Sequence, residues 1–163
     1  MTLTRDDHEA LYRKHAPAAF RRAQRMLGSA ADADEVVHEV FLRLFEGAST
    51  FLGASKLSTY LYSAVTHACL NRIRNDRTQR RLQGERAHTI PPHDPGTRPE
   101  WTVAAHDLLR RLPDPLAAVA VYYYLDELSQ REIAELLGCS HVHVGKLLRR
   151  VRSLAEENRR ASC

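Results

Sequence analysis

Three groups of residues in the 163-residue chain have types and spacings that could do chemistry, and in each the chemistry is charge pairing and hydrogen bonding. The first is acidic. Asp32, Asp34, Glu35, Glu39 and Glu46 fall within fifteen positions that hold one base, Arg43. The second is basic, with Lys56, Arg72, Arg74, Arg77, Arg80, Arg81 and Arg86 against Asp76 and Glu85. The third is basic again, with Lys146, Arg149, Arg150, Arg152, Arg159 and Arg160 against Glu156 and Glu157. Segregated charge of this kind makes separate surfaces for partners of opposite sign, and two basic runs suit a polyanion touched at two places.

Bond-making chemistry finds little support. His38-Glu39 begins like the helical zinc-hydrolase motif, but its second histidine would have to stand where Leu42 is. His141 and His143, two residues apart, leave a helix on different faces and are poorly placed to share a metal. There is no glycine-rich phosphate loop and no nucleophile–base pair, so the expectation is a non-enzyme without metal or cofactor. Cys69, Cys139 and Cys163 form no CxxC pair, which argues against a disulfide framework or a zinc finger. Cys69 and Cys139 fall on apolar helix faces and read as packing residues. The longest apolar runs, such as Leu116 to Leu125, are about ten residues and too short to span a bilayer. No secretory signal is visible at the N-terminus, so a cytoplasmic protein without membrane insertion is expected.

The elements that position these residues read as helices throughout, in two modules. Residues 86 to 99 hold Pro91, Pro92, Pro95, Pro99 and Gly96, a composition that reads as a linker. The expected organisation is therefore a first bundle over 1–84, a linker over 85–100 and a second bundle over 101–163. In the first, a helix from about Asp7 to Leu27 ends at Gly28, a natural left-handed cap. The next starts near Ser29 and carries Val36, Val37, Val40, Phe41, Leu44 and Phe45 on one face, with Asp34, Glu35, His38, Glu39 and Arg43 opposite. A third runs from about Lys56 to Arg81. Leu57, Leu61, Val65, Cys69 and Ile73 form its apolar line, while Lys56, Tyr60, Ser63, His67, Asn71, Arg74, Thr78 and Arg81 form a polar stripe facing solvent or a ligand. The second module reads as four helices, about Glu100–Arg111, Pro113–Asp126, Ser129–Leu137 and Ser140–Glu157.

The last two make the most specific pattern in the chain. Ser129 and Glu132 form a capping box, Gly138 supplies a left-handed turn and Ser140 caps the following helix. Ile133, Ala134 and Leu137 turn inward to meet Val144, Leu147, Leu148 and Val151. That is a helix-turn-helix, and it leaves His141, Val142, Gly145, Lys146 and Arg149 on the side that such motifs lay in the DNA major groove.

With these residues in place the chain resembles bacterial RNA polymerase sigma factors of the sigma-70 family, in the extracytoplasmic-function group, over nearly its whole length. Asp34 to Phe45 resembles the acidic-apolar helix that docks on the polymerase β′ subunit. The resemblance implies core contacts at Asp34, Glu35, Val37, His38, Glu39 and Leu42. Phe51 to Tyr62 resembles the loop and helix start that help open promoter DNA, and Cys69 to Arg74 with the Arg77–Arg81 cluster resembles the reader of the −10 element. Strand contacts are thereby implied at Phe51, Lys56, Tyr60, Ser63, His67 and Asn71, with Arg72, Arg74, Arg77, Arg80 and Arg81 neutralising phosphates.

Leu109 to Pro113 and the helix-turn-helix resemble the part that reads the −35 element, implying contacts at Ser140, His141, Val142, His143, Gly145, Lys146, Arg149 and Arg150. The implied partners are core RNA polymerase through β′ and β, promoter DNA and an anti-sigma factor. The family's usual residues are replaced at His38, Tyr60, His67 and Gly145, which implies a divergent promoter preference. The competing expectation is an ordinary helix-turn-helix regulator acting without polymerase, which would have no need of the acidic helix.

Overall fold

Hydrophobic periodicity and caps decide the fold, which a computed structural model describes over residues 4–47, 54–82 and 99–163, with side chains left undescribed at 54–56, 76–82 and 99–103. Every regular element among the described residues is helical. The chain divides into two units, Met1–Pro99 and Glu100–Cys163.

The first unit holds α1 (Arg5–Leu27), α2 (Ala30–Glu46) and α3 (Ala54–Leu82). Helix α1 starts two residues earlier than expected because Thr4 and Asp7 form a capping box: the Thr4 N–H donates to Asp7 Oδ2 at 2.8 Å and the Asp7 N–H to Thr4 Oγ1 at 3.3 Å. The Thr4 N–H and, at 2.7 Å, the Thr4 hydroxyl both donate to Asp7 Oδ2 and hold that carboxyl below the usual carboxylate range. At the other end Gly28 has φ 71°, the left-handed conformation a side chain would resist. One residue later Ser29 caps α2, accepting from the Asp32 N–H at 3.2 Å.

Packing follows the periodicity. All five residues of the α3 apolar line are buried, joined by Leu70. Val36, Val40, Phe41 and Leu44 of α2 and the small residues Ala16, Ala19 and Ala23 of α1 are buried with them. Small residues on α1 let the three helices approach closely, and Phe41, Phe45, Tyr12 and His8 close one end as an aromatic cluster.

Helix α4 (Pro99–Arg111) begins at the boundary, and the second unit holds the rest of it with α5 (Leu116–Ala120), α6 (Gln130–Leu137) and α7 (His141–Ala161). The expected single helix over 113–126 is instead α5 followed by one π-helical turn, Val121–Leu125, in which the Asp126 N–H reaches back to the Val121 carbonyl at 3.1 Å. Tyr122 is fully buried there, whereas Tyr124 faces solvent and accepts from Arg152 Nε at 3.2 Å.

The α6–α7 pair is a helix-turn-helix. Ser129 and Glu132 form the expected capping box, which keeps the Glu132 carboxyl below its ordinary range. Gly138 (φ 66°) and Cys139 return their N–H groups to the Glu135 and Ala134 carbonyls at 3.4 and 3.0 Å, a Schellman turn. Ile133, Ala134, Val144, Leu148 and Val151 are buried as expected, while Leu137 and Leu147 are half-buried. Cys139 is half-buried at this turn rather than packed in the core.

Candidate functional site

Helix α2 separates its residues cleanly. Asp34, Glu35, His38, Glu39 and Leu42 all stand at the surface, and Leu42 is half exposed although large and apolar. Val37, expected beside them, is buried, because it falls on the side packed against α1. It forms the floor of a groove of about 540 Å³ between α1 and α2, whose apolar walls are Tyr12, Ala16, Pro17 and Phe20 and whose rim carries Glu9, Arg13 and Asp34. Sequence reading missed this α1 contribution. Its signal was the spacing of four between Tyr12, Ala16 and Phe20 on a helix otherwise rich in charge.

A second groove, about 280 Å³, runs between α2 and α3. The polar stripe lines it with Tyr60, Ser63, His67 and Asn71, separated by the small residues Ala64 and Ala68, and α2 contributes Val40 and Arg43. Four residues expected to meet a nucleic-acid strand thus share one concavity. Arg43 was not among them; it faces the groove from the neighbouring helix and pairs with Glu39, one turn back.

Arg72, expected to neutralise phosphates, has Nη2 paired with two carboxylates of α2, Asp32 Oδ1 at 2.7 Å and Glu35 Oε2 at 2.6 Å. Those hydrogen bonds, the Asp32 bond foremost, hold the guanidinium even more firmly protonated than usual. Glu35 is consequently a partly neutralised member of the acidic face. Arg74 is half-buried. Phe51 lies outside the described residues, as do the side chains of Lys56, Arg77, Arg80 and Arg81, although the backbone at the last four is helical.

Behind the stripe, α1 and α3 are locked by a polar core contact. Thr66, the one buried polar residue among those described, accepts from Arg22 Nε and Nη2 at 2.9 and 2.8 Å and donates to the Tyr62 carbonyl at 2.7 Å. The Arg22 guanidinium lies 3.9 Å over the Tyr62 ring, a cation–π contact. Burial pushes the nearby Cys69 thiol up to about 12, with Arg22 opposing, so Cys69 packs as an inert thiol.

In the second unit, the first turns of α7 present His141, Val142, His143, Lys146, Arg149 and Arg150 to solvent, while Ser140 Oγ accepts from the His143 N–H at 3.2 Å. Val142 is 55% exposed, an apolar spot among bases. No ion pair holds Lys146, Arg149 or Arg150 among the described residues. Gly145 is half-buried, and a Cβ added there would come within 3.2 Å of Gln130 Oε1, the tip of a side chain on α6.

The Sigma-70 region 2 family matches residues 11–79, which include the acidic side of α2 and both grooves save Glu9 at one rim, and the Sigma-70 region 4 family matches residues 102–154, which span the helix-turn-helix. The chain belongs to the sigma-70 family, in its ECF group. Among relatives, it is 29% identical to the ECF RNA polymerase sigma factor SigW of Bacillus subtilis over 81% of this chain and 76% of that protein. It is 28% identical to the RNA polymerase sigma factor YlaC of the same organism over 94% and 92% respectively. Similar folds include CnrH, solved with the cytosolic domain of CnrY (TM-score 0.55, 18% identity, 98% of this chain and 92% of that one). The sigma factor RpoE of Bartonella quintana, solved with the anti-sigma factor NepR, is also similar (TM-score 0.53, 15% identity, 93% and 95%).

As a sigma factor the chain acts with core RNA polymerase at promoter DNA, and a regulator working without polymerase is not favoured, because such a regulator needs no region 2. Sigma factors are initiation factors rather than enzymes. No helix among the described residues is long and apolar enough to cross a membrane, and no group of three His, Cys, Asp or Glu side chains is assembled among them as a metal site.

Proposed function

We propose that the first unit docks on core polymerase through α2 and captures the −10 strand on α3, while the second reads the −35 duplex with α7. The observation that carries this is the opposition of surfaces within one three-helix unit: an acidic, Leu42-bearing face on α2 and a polar groove beside it on α3. Asp34, His38 and Glu39 meet basic polymerase groups, and Leu42 with the Tyr12–Phe20 groove adds apolar area that excludes water from those pairs. Tyr60 and His67 offer planar rings for unstacked bases, and Ser63 and Asn71 hydrogen-bond their edges. Capturing unpaired bases there favours the melted promoter over the duplex. Lys146 and Arg149 contact guanine or phosphate in the −35 major groove, with Val142 against a thymine methyl group.

This mechanism is binding and strand capture, without bond chemistry, in the cytoplasm where polymerase and chromosome meet. The two structural relatives were each solved with a partner protein, CnrY and NepR, and we propose that this chain likewise accepts an anti-sigma partner. The decisive test is association with core enzyme. Asp34→Arg with Glu39→Arg is expected to lower core affinity by about 100-fold or more, since like charges placed across an interface cost several kcal/mol. Duplex binding by the second unit should persist. Unchanged core affinity would overturn the docking assignment.

A further inference from the structure

The groove between α2 and α3 has a polar wall and an apolar wall, and among the described residues lining it Arg43 alone carries a formal charge. Its volume, about 280 Å³, is of the order of one nucleotide. A strand whose base rests on Tyr60 or His67 must leave its phosphate at the rim, and the α2 rim is where Arg43 stands. A guanidinium there matches a phosphate geometrically as well as electrically.

Arg43 is not idle in the free chain, because it pairs with Glu39, the residue one turn back on the face assigned to polymerase. Side chains 65% and 53% exposed form a pair of the weak, solvent-screened kind, which a polyanion displaces at little cost. The same carboxylate is therefore wanted by two partners, Arg43 within the chain and a basic group on polymerase.

We propose that Arg43 is an additional contact to the promoter strand, held in reserve by Glu39 until docking draws that carboxylate away. This rests on reading α2 as the docking helix and the α2–α3 groove as the strand site. Docking and strand capture are then coupled through one side chain, and the coupling is reciprocal: a strand that takes Arg43 leaves Glu39 readier for polymerase.

The test uses the full chain and a fluorescein-labelled single-stranded DNA 20-mer of random sequence, with anisotropy followed across a salt series. Arg43→Gln is expected to weaken binding 3- to 10-fold and to flatten the log–log salt slope by about 0.7, the value for one phosphate contact on single strands. Glu39→Gln is expected to tighten binding about 3-fold, and that gain should vanish in the Arg43→Gln background. Both positions are exposed, and unchanged helical circular dichroism confirms folding.

Normal affinity and slope in Arg43→Gln would overturn the reserve contact, and so would a Glu39→Gln gain that survives without Arg43, since that gain would be a general effect of charge. Tyr60→Ala with His67→Ala separates the levels. If it weakens binding while Arg43→Gln does not, the groove reading stands and the proposal alone fails. If neither weakens binding, the groove is not the strand site and both fail together.

Discussion

The two units carry their positive charge differently. On α7 of the second unit, Lys146, Arg149 and Arg150 stand exposed with no carboxylate pairing them among the described residues. In the first unit two arginines beside the candidate strand site are occupied: Arg72 by Asp32 and Glu35, Arg43 by Glu39. Unpaired cations on a rigid, capped helix make a preformed surface for duplex DNA, whose phosphates need only replace water and counterions. Paired cations make a conditional one, because a competing acid must first be displaced. The difference suits the proposed division of labour, in which one unit meets double-stranded DNA and the other single-stranded DNA exposed after docking.

The largest effect that separates the units is expected at α7. Lys146→Ala with Arg149→Ala should weaken binding to a −35 duplex by about 100-fold, since each good base contact is worth ~1–3 kcal/mol. Core association and single-strand binding should be unchanged, as both changes are exposed and remote in sequence from region 2. Electrophoretic mobility shift on duplex, beside a core pull-down, reads both. If duplex affinity holds, α7 is not the reader and its free charge is merely a solvated surface.

A middle-sized effect tests whether the pairing in the first unit is structural. Arg72→Gln leaves Asp32 and Glu35 without their cross-helix partner, and Arg72 is 34% exposed, between the surface and buried classes of ion pair. The expected loss is ~1 kcal/mol, above most exposed pairs and well below buried ones. For a unit of this size that is a drop in Tm of about 4–8 °C, seen by calorimetry and shrinking in 1 M salt. The salt slope for single-stranded DNA should not move. A flattened slope instead would return Arg72 to the phosphate contacts and erase half of the contrast between the units.

How far this contrast could be read in advance depended on sequence distance. The α3 line of Leu57, Leu61, Val65, Cys69 and Ile73 was legible because four-residue spacing dictates one helix face, and all five are buried. Ser129, Glu132, Gly138 and Ser140 were legible because caps act within a few residues of themselves. The Arg72 pairs, 40 and 37 residues apart, and the Arg22–Thr66 bond, 44 apart, were not legible, since no periodicity within one helix names a partner on another. The neighbour of Gly145 was hidden for the same reason: its place on the α7 wheel does not name Gln130 of α6, whose side-chain tip lies beside it. Local rules gave the scaffold and the polar stripe, whereas the charge bookkeeping between helices emerged only from packing.

The smallest expected effect bears on histidine, which the two units also use differently. His141 and His143 are exposed on α7, whereas His15 is half-buried on α1 with Nε2 buried and without a hydrogen-bond partner. Burial, with Lys14 adding to it, lowers the His15 pKa from its ordinary value of 6.5. The folded first unit therefore binds fewer protons at this site than the unfolded chain does. Its stability is whole above about 6.5 and declines as pH falls from there toward the folded pKa, because protonation favours the unfolded state. Thermal melts of the full chain at pH 7.5 and pH 5 should show a small acid-side loss, and His15→Leu should flatten part of it while Lys146→Ala leaves it intact. An acid limb identical in His15→Leu would mean that Nε2 finds water when charged, and that the burial of His15 leaves the stability of the first unit untouched.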